Sequence, residues 1–91
     1  MAEQAKEKIL IADDSEMNRS ILTDMLEDKY EIIEAEDGAK AVAILQEHCM
    51  DISLVLLDIV MPEMDGFQVM EVMNNRHWID DIPVIIISSE T

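Results

Sequence analysis

The sequence predicts an α/β fold in which helices cover a parallel sheet. Two patterns of apolar residues, one typical of buried strands and one typical of helices, take turns along the chain and support that prediction. Four short runs are apolar along most of their length, as in strands buried on both faces: residues 8–12, 30–35, 53–57 and 83–87. Between them lie three stretches in which apolar residues recur at the spacing of amphipathic helices. Strands and helices that alternate in so short a chain require parallel pairing with right-handed crossovers, so we expect a doubly wound sheet.

The three helical stretches are bounded by residues that favour helix ends and turns. The first covers residues 15–27, where Ser15 or Asp14 can cap the helix. The second covers residues 39–49, and the third follows a turn-rich loop at residues 61–66. Each helix therefore connects two predicted strands.

The apolar positions of the helices predict which sides pack on the sheet. In the first helix the apolar positions are Met17, Ile21, Leu22, Met25 and Leu26. The inward stripe of the third helix is expected at Phe67, Met70 and Met73. We expect the helical methionines to fill the core rather than to form a binding surface, because methionine adapts to irregular gaps.

The composition indicates one folded domain with an acidic surface. The chain has 91 residues, of which 49% are hydrophobic, so residues 1–91 are treated as a single domain. Its 21 acidic and six basic residues give a formal net charge of −15, and the lysines and arginines are scattered. This charge excludes a nucleic-acid-binding surface on this segment, since such surfaces are basic.

Neither a membrane segment nor an export signal is indicated. No apolar run reaches the roughly 18 residues needed to cross a bilayer, and residues 1–8 are too polar for a signal peptide. The single cysteine, Cys49, has no disulfide partner within the chain and lies at the end of an apolar helix. We therefore expect a buried, reduced thiol and a cytoplasmic protein without membrane contact.

Three aspartates follow the predicted strands at the ends where open parallel sheets form their sites. Asp13 and Asp14 come directly after the first strand, and Asp58 comes directly after the third. If those strands are neighbours, the three carboxylates meet in one crevice. Like charges about 4 Å apart repel by about 4 kcal/mol at an effective dielectric constant near 20, so a cation or a proton must relieve the cluster.

Magnesium and phosphoryl chemistry both suit such a cluster. Mg²⁺ takes oxygen ligands and is usually held by one or two carboxylates together with phosphate oxygens. A carboxylate can also attack phosphorus and form an aspartyl phosphate, and Ser88 at the end of the fourth strand can donate a hydrogen bond to the phosphoryl oxygens. An acidic pair after a strand is more often only a helix cap, so the constellation rather than any single residue carries the prediction.

Three segments give the chain a resemblance to a known family. They are Asp13-Asp14-Ser15 after the first strand, L-V-L-L-D-I-V-M-P-E-M-D-G at residues 54–66, and I-P-V-I-I-I-S-S at residues 82–89. Together they resemble the receiver domains of two-component response regulators, over residues 8–89. The resemblance implies a flavodoxin-like, CheY-like fold with strand order 2-1-3-4 and a switch controlled by phosphorylation of one aspartate.

The resemblance also implies a role for each residue of the site. Asp58 would accept the phosphoryl group, and Asp14, Asp58 and the backbone carbonyl of Val60 would bind Mg²⁺ directly. Asp13 would hold a metal-bound water, and Ser88 would be the switch hydroxyl. The implied phosphodonor is a sensor histidine kinase or a phosphotransfer protein, and the implied responder is an output domain outside this segment.

The chain departs from the family at its C-terminal end. Receiver domains continue past the fourth strand with a helix, a fifth strand that ends in a lysine, and a last helix, whereas this chain ends at Thr91. Its four lysines all precede the third strand: Lys6, Lys8, Lys29 and Lys40. We therefore expect an incomplete domain whose fourth strand is an exposed apolar edge, and we expect the truncated chain to self-associate.

Three classes of function are compatible with this pattern. The first is a phosphorylation-dependent signalling switch, which is not a turnover enzyme, and the second is a pseudo-receiver that binds partners without phosphorylation. The third, an aspartate-nucleophile phosphatase, is disfavoured because such enzymes typically carry an acid two residues after the nucleophile, where this chain has Val60. Nucleotide binding is disfavoured as well, because the two glycines, Gly38 and Gly66, cannot build a glycine-rich phosphate loop. In the receiver reading, Gly66 lets the loop after the third strand turn back.

Overall fold

The computed structural model describes residues 6–87, which form four parallel strands, three α-helices and a short 3-10 helix. The elements are β1 Lys8–Ala12, α1 Glu16–Leu26, β2 Glu31–Ala35, α2 Gly38–His48, β3 Ile52–Asp58, α3 Gly66–Asn75, the 3-10 helix Trp78–Asp80, and β4 Val84–Ile87. The predicted alternation is confirmed with boundaries that differ by one residue, and the 3-10 helix was not predicted. No helix in this part of the chain is long and apolar enough to span a bilayer.

The sheet has the strand order β2-β1-β3-β4, with every neighbouring pair parallel. This order confirms the doubly wound topology that the resemblance implied. β1 lies between β2 and β3, so that Leu10 is opposite Ile33 on one side and Val55 on the other. The carboxyl ends of β1 and β3 therefore lie next to each other.

Helices cover both faces of the sheet, and alternate residues of β1 divide the core between them. Leu10 and Ala12 belong to the larger cluster, which includes residues of α2 and α3. Ile9 and Ile11 belong to the smaller cluster, against which α1 packs through Leu22. Four consecutive buried residues of β1 are what its continuous apolar run predicts.

The packing of α1 differs from the prediction. The helix starts at the expected cap, Ser15, but only Leu22 and Leu26 of its five apolar positions pack against the sheet. The other three are 72%, 51% and 71% exposed: Met17, Ile21 and Met25. Arg19 and Thr23 of α1 donate hydrogen bonds to Glu34 of β2, so polar residues share with Leu22 and Leu26 the side of the helix that contacts the sheet.

The inward side of α3 also differs from the prediction. Val69 and Met73 are fully buried and Met70 packs beside them, but Phe67 is 63% exposed, so its expected inward position is wrong. The helix begins at Gly66, and the buried positions follow from it at intervals of three and four residues, which places Phe67 off the stripe. The expectation of a buried Cys49 is also wrong, because this thiol is only half-buried.

β4 forms one edge of the sheet within residues 6–87. It pairs with β3 alone, and Ile85 and Ile86, which point to opposite faces, are 51% and 40% exposed. On the α1 face, a groove of about 480 Å³ runs beside the strand and is lined in part by Leu54, Leu56 and Ile85. The predicted apolar edge is thus confirmed for β4, whereas Ser88 lies outside the described residues.

The contrast between Met73 and Phe67 can be measured. We expect Met73→Ala to lower the free energy of unfolding by about 2–5 kcal/mol, because it removes a fully buried side chain and leaves a cavity. Phe67→Ala should change it by less than about 0.5 kcal/mol, as is usual for exposed positions. Urea unfolding of both variants checks this assignment, and similar losses in the two would contradict it.

Candidate functional site

Three aspartates meet at the edge of the sheet where β1 and β3 end. Asp13 follows β1 directly, Asp58 is the last residue of β3, and the register places Ala12 opposite Leu57. One oxygen from each of the carboxylates of Asp13, Asp14 and Asp58 lies within 4.8 Å of the other two. The convergence predicted from the sequence is therefore present.

Asp13 is buried, and hydrogen bonds hold both of its carboxylate oxygens and its backbone N–H. Its Oδ1 accepts from the backbone N–H of Ser15 at 2.9 Å, and its Oδ2 accepts from the side-chain amide of Asn18 at 3.4 Å. Its own N–H donates to the carbonyl of Ala35 on β2 at 3.1 Å. Asp14 is exposed, and no hydrogen bond from residues 6–87 holds its carboxylate. The two neighbouring acids therefore differ sharply in how firmly they are held.

Asp58 is 1% exposed, and its Oδ2 has no hydrogen-bond partner among the described residues. Burial raises the pKa of Asp58, and the negative charges of Asp13 and then Asp14 raise it further. The backbone N–H groups of Val60 and Ile59 act in the opposite direction on this pKa, because they favour the charged carboxylate. The ionised form of Asp58 is thus held at a cost in free energy.

A hard divalent cation fits this arrangement. Each carboxylate contributes an oxygen, two of the three side chains are buried, and a buried oxygen of Asp58 lacks a partner. A cation bound between them would satisfy that oxygen and would offset the repulsion among three like charges. Oxygen donors of this kind suit Mg²⁺ or Ca²⁺ rather than metals that prefer nitrogen or sulfur.

The loop that follows Asp58 is held against the site by both glycines of the chain. Gly66 donates its N–H to the carbonyl of Ile59 at 2.8 Å, and a Cβ at position 66 would overlap the carbonyl of Asp58. A Cβ on Gly38, the first residue of α2, would overlap the carbonyl of Met64. Neither glycine has a positive φ, so close approach rather than an unusual turn requires them.

The predicted roles of Val60 and Ser88 stay predictions. The side chain of Val60 is 56% exposed and its N–H faces the Asp58 carboxyl, so its backbone lies at the site. A metal ligand role for the Val60 carbonyl is not tested by this geometry. Ser88 lies outside the described residues, so the structure does not place its hydroxyl.

Sequence reasoning missed two residues that hold the site, Asn18 and Arg19. The Asn18 amide contacts the Asp13 carboxylate, and the Arg19 guanidinium donates to the backbone carbonyl of Asp13 at 2.7 Å. The available signal was the N-cap at Ser15, since a helix that starts there returns its first turn towards the preceding loop. That signal does not distinguish which of several polar residues in the turn face inwards.

The fold and the site together define an α/β protein with three carboxylates grouped where two parallel strands end. Residues 9–91 match the response regulator receiver domain family, and the chain belongs to that family. It is 40% identical, over 82 residues, to Response regulator RR06 of Streptococcus pneumoniae, and this match covers 89% of the chain and 36% of the relative. The chain thus spans little more than a third of that protein.

Solved structures agree with this assignment. The chain superposes with a TM-score of 0.83 and 34% identity on a chain of the CheX-CheY-BeF3-Mg²⁺ complex from Borrelia burgdorferi, covering 94% of this chain and 64% of that one. The response regulator TrrA from Thermotoga maritima, solved with Mg²⁺-BeF, gives a TM-score of 0.82 at 30% identity, with 93% and 71% coverage. The receiver fold implied by the sequence resemblance is therefore confirmed.

The raised pKa of Asp58 predicts a specific dependence of stability on pH. Because the folded chain holds the Asp58 proton more tightly than the unfolded chain, the free energy of unfolding should fall as pH rises from the ordinary value of 3.8 through the raised pKa. Above that range, Asp58→Asn should be more stable than the unmutated chain by about 1–3 kcal/mol, because the amide removes the unpaired buried charge. Urea unfolding with a metal chelator, across pH 4–8, measures this difference.

Asp24→Asn is the matched control for that experiment. Asp24 is an exposed acid of α1, so its substitution removes the same formal charge without touching the acidic cluster. Its effect should be small, since isolated surface charges contribute little to stability. Equal effects of the two substitutions at every pH would contradict the electrostatic account of Asp58.

Proposed function

We propose that this chain is a phosphorylation-dependent switch of a two-component system in which Asp58 accepts the phosphoryl group with the help of Mg²⁺. The observation that carries the proposal is the buried Asp58 carboxylate, which has one oxygen without a partner and lies beside two further aspartates. Membership of the receiver family supports it, since signalling by phosphorylation is the general role of that family. The chain is then a signalling switch and not a turnover enzyme.

The proposed assignment of the site comes from the resemblance to receiver domains, and the convergence of the three acids supports it. Asp14 and Asp58, with the backbone carbonyl of Val60, would bind the ion, and the firmly held Asp13 would orient a water bound to it. When bound, Mg²⁺ neutralises negative charge on the transferring phosphoryl group. Two similar solved structures, the CheX-CheY-BeF3-Mg²⁺ complex and TrrA in complex with Mg²⁺-BeF, support this choice of metal.

The chemistry of Asp58 in this proposal is a nucleophilic substitution at phosphorus. Its carboxylate oxygen forms a bond to phosphorus while the bond between phosphorus and the donor's leaving atom breaks, and the leaving group takes that electron pair. The product is an aspartyl phosphate, for which Ser88 is the proposed switch hydroxyl. Burial and the neighbouring carboxylates raise the pKa of Asp58 and so disfavour its ionised form, which is the form that attacks phosphorus. A cation bound at the site would favour that ionised form.

The proposed partners follow from this role. The phosphodonor is a sensor histidine kinase or a phosphotransfer protein, and an output domain in the parent protein responds to the change of state. We also propose a cytoplasmic location, in which ATP-dependent kinases and Mg²⁺ are available. In the same proposal, residues 1–91 belong to one receiver domain.

Labelling tests the phosphoacceptor directly. We expect a parent protein that continues past Thr91, incubated with a small phosphodonor and Mg²⁺, to gain one acid-stable, base-labile phosphoryl group per chain. Asp58→Ala should remove the label, because it removes the nucleophile, and Asp14→Ala should slow labelling by at least tenfold, because it removes a metal ligand. Intact-mass measurement at acid and alkaline pH follows the modification.

The same experiment separates the competing classes of function. Label that persists in Asp58→Ala would place the nucleophile elsewhere and would contradict the assignment. A parent protein that takes no label with any donor, yet binds partners equally well before and after treatment, would instead be a pseudo-receiver that acts as an interaction module.

We further propose that this 91-residue chain associates with a second copy through β4. Within residues 6–87 the outer edge of β4 has no partner strand, and an unpaired edge offers its N–H and C=O groups to another chain. Ile85 and Ile86 are exposed on its two faces, and the apolar groove adjoins Ile85. Pairing of two β4 strands across a two-fold axis would bury apolar surface on both faces at once.

Charge works against this association and supplies a test of it. At a net charge of −15 two copies repel each other, so association should strengthen as salt screens the repulsion. Sedimentation at several salt concentrations should show dimers or larger closed assemblies, and the melting temperature should rise with protein concentration. Ile86→Lys should weaken assembly, because it places a charge on the contact edge.

Met50→Lys is the matched control for this prediction. Met50 is 93% exposed and lies between α2 and β3 in the chain rather than on β4, so the same kind of substitution there should leave assembly unchanged. A compact, cooperatively folded monomer at high micromolar concentration would show that the β4 edge does not act as an interface.

A further inference from the structure

Arg19 of α1 links the acidic site to the neighbouring strand β2. Its Nη1 donates to the backbone carbonyl of Asp13 at 2.7 Å, and its Nε donates to Oε1 of Glu34 at 2.9 Å. The Arg19 side chain is only 14% exposed, and its contact with the Asp13 carbonyl is partly buried, whereas the Glu34 carboxylate is 40% exposed. The rigid guanidinium plane therefore spans from the exit of β1 to β2.

Glu34 is itself held from the other side. Its Oε2 accepts from the hydroxyl of Thr23 on α1 at 3.1 Å, so both carboxylate oxygens are engaged. Glu34 lies on β2 opposite Ile11 of β1, in the part of the sheet that leads to the acidic cluster. The network of Arg19, Glu34 and Thr23 thus fixes the guanidinium before any ligand binds.

The carbonyl that Arg19 binds belongs to the peptide unit that joins Asp13 to Asp14. Because a peptide unit is planar, fixing its carbonyl also fixes the nitrogen of Asp14 and the direction of the chain that carries its side chain. The Asp14 carboxylate is exposed and has no hydrogen bond from the described residues. Its position therefore depends on its backbone, and the backbone is held by Arg19.

We propose that Arg19 is a positioning residue of the cation site, which preorganises Asp14 by fixing the Asp13-Asp14 peptide unit. This inference rests on the proposed function, because it assigns to Asp14 a share in binding the ion. Arg19 touches neither the ion nor the phosphoryl group in this account. It acts through the backbone of the residue that does bind.

The sign of the effect distinguishes positioning from a simple electrostatic influence. A positive charge close to the site repels a cation, so removing it would tighten Mg²⁺ binding if charge were all that mattered. Loss of a group that orients a ligand instead weakens metal binding, typically by about tenfold to a hundredfold. Glu34 pairs with Arg19 at 2.9 Å and offsets most of its charge, so the positioning effect should dominate.

Calorimetric titration of the unmutated chain and its variants with Mg²⁺ alone tests the proposal. We expect Arg19→Met to raise the Kd at least tenfold, because methionine preserves much of the buried stem but has no donor. The Kd of Arg19→Lys should lie between those of the unmutated chain and of Arg19→Met. One ammonium group cannot serve both the Asp13 carbonyl and Glu34 with the geometry of the guanidinium fork. Urea unfolding of each variant in the same buffer identifies the fraction of folded chain.

Lys40→Met is the matched control. Lys40 forms an exposed ion pair with Glu36, so its replacement makes the same change in charge and breaks a salt bridge without touching the Asp13 carbonyl. It should leave the Kd for Mg²⁺ unchanged within about twofold. If Arg19→Met fails to fold, Arg19→Lys carries the test through its own rise in Kd.

Two outcomes would overturn the proposal, and they are distinguishable. A folded Arg19→Met or Arg19→Lys variant that binds Mg²⁺ as tightly as the unmutated chain, or more tightly, would overturn the positioning role and leave the proposed function intact. An unmutated chain that binds no Mg²⁺ at millimolar concentration would overturn the cation site, and the positioning role with it.

Discussion

The parallel pairing of β1 with β3 is the constraint on which the site depends. Because β1 lies between β2 and β3, Ala12 is opposite Leu57, and the residues that follow these positions emerge together at one edge. Apolar side chains fix this register, since a slip by one residue would turn Leu10 and Ile11 to the wrong faces. The hydrophobic core therefore determines the separation of the aspartates, although none of them belongs to it.

The three acids of the site differ in how far hydrogen bonds stabilise their carboxylates. Asp13 has hydrogen bonds to both carboxylate oxygens, whereas Asp58 is equally buried and has an oxygen without a partner. Asp13 therefore helps to hold the folded site together, whereas the Asp58 carboxylate lacks a partner that a bound cation would supply. Such a cation would favour the ionised form of Asp58 and so lower its pKa.

The sequence predicted the strands, the topology and the three aspartates, because each depends on local pattern. The apolar runs identify the strands, and the ends of the strands locate Asp13 and Asp58. The inward faces of α1 and α3 were less predictable. In α1, hydrophobic spacing cannot show that Arg19 and Thr23 form hydrogen bonds with Glu34 of β2. Arg19 was missed for the same reason, because its role depends on a contact between α1 and β2 that no spacing encodes.

Two glycines, Gly38 and Gly66, make close backbone contacts with the loop of residues 59–65 and with the strand end before it. Gly66 lies against the Asp58 carbonyl, and Gly38 lies against the carbonyl of Met64. Contacts between backbones have no flexible side chain to absorb a displacement. A side chain at position 38 or 66 would therefore have to displace backbone, so the placement of the starts of α2 and α3 around the loop after Asp58 depends on both glycines.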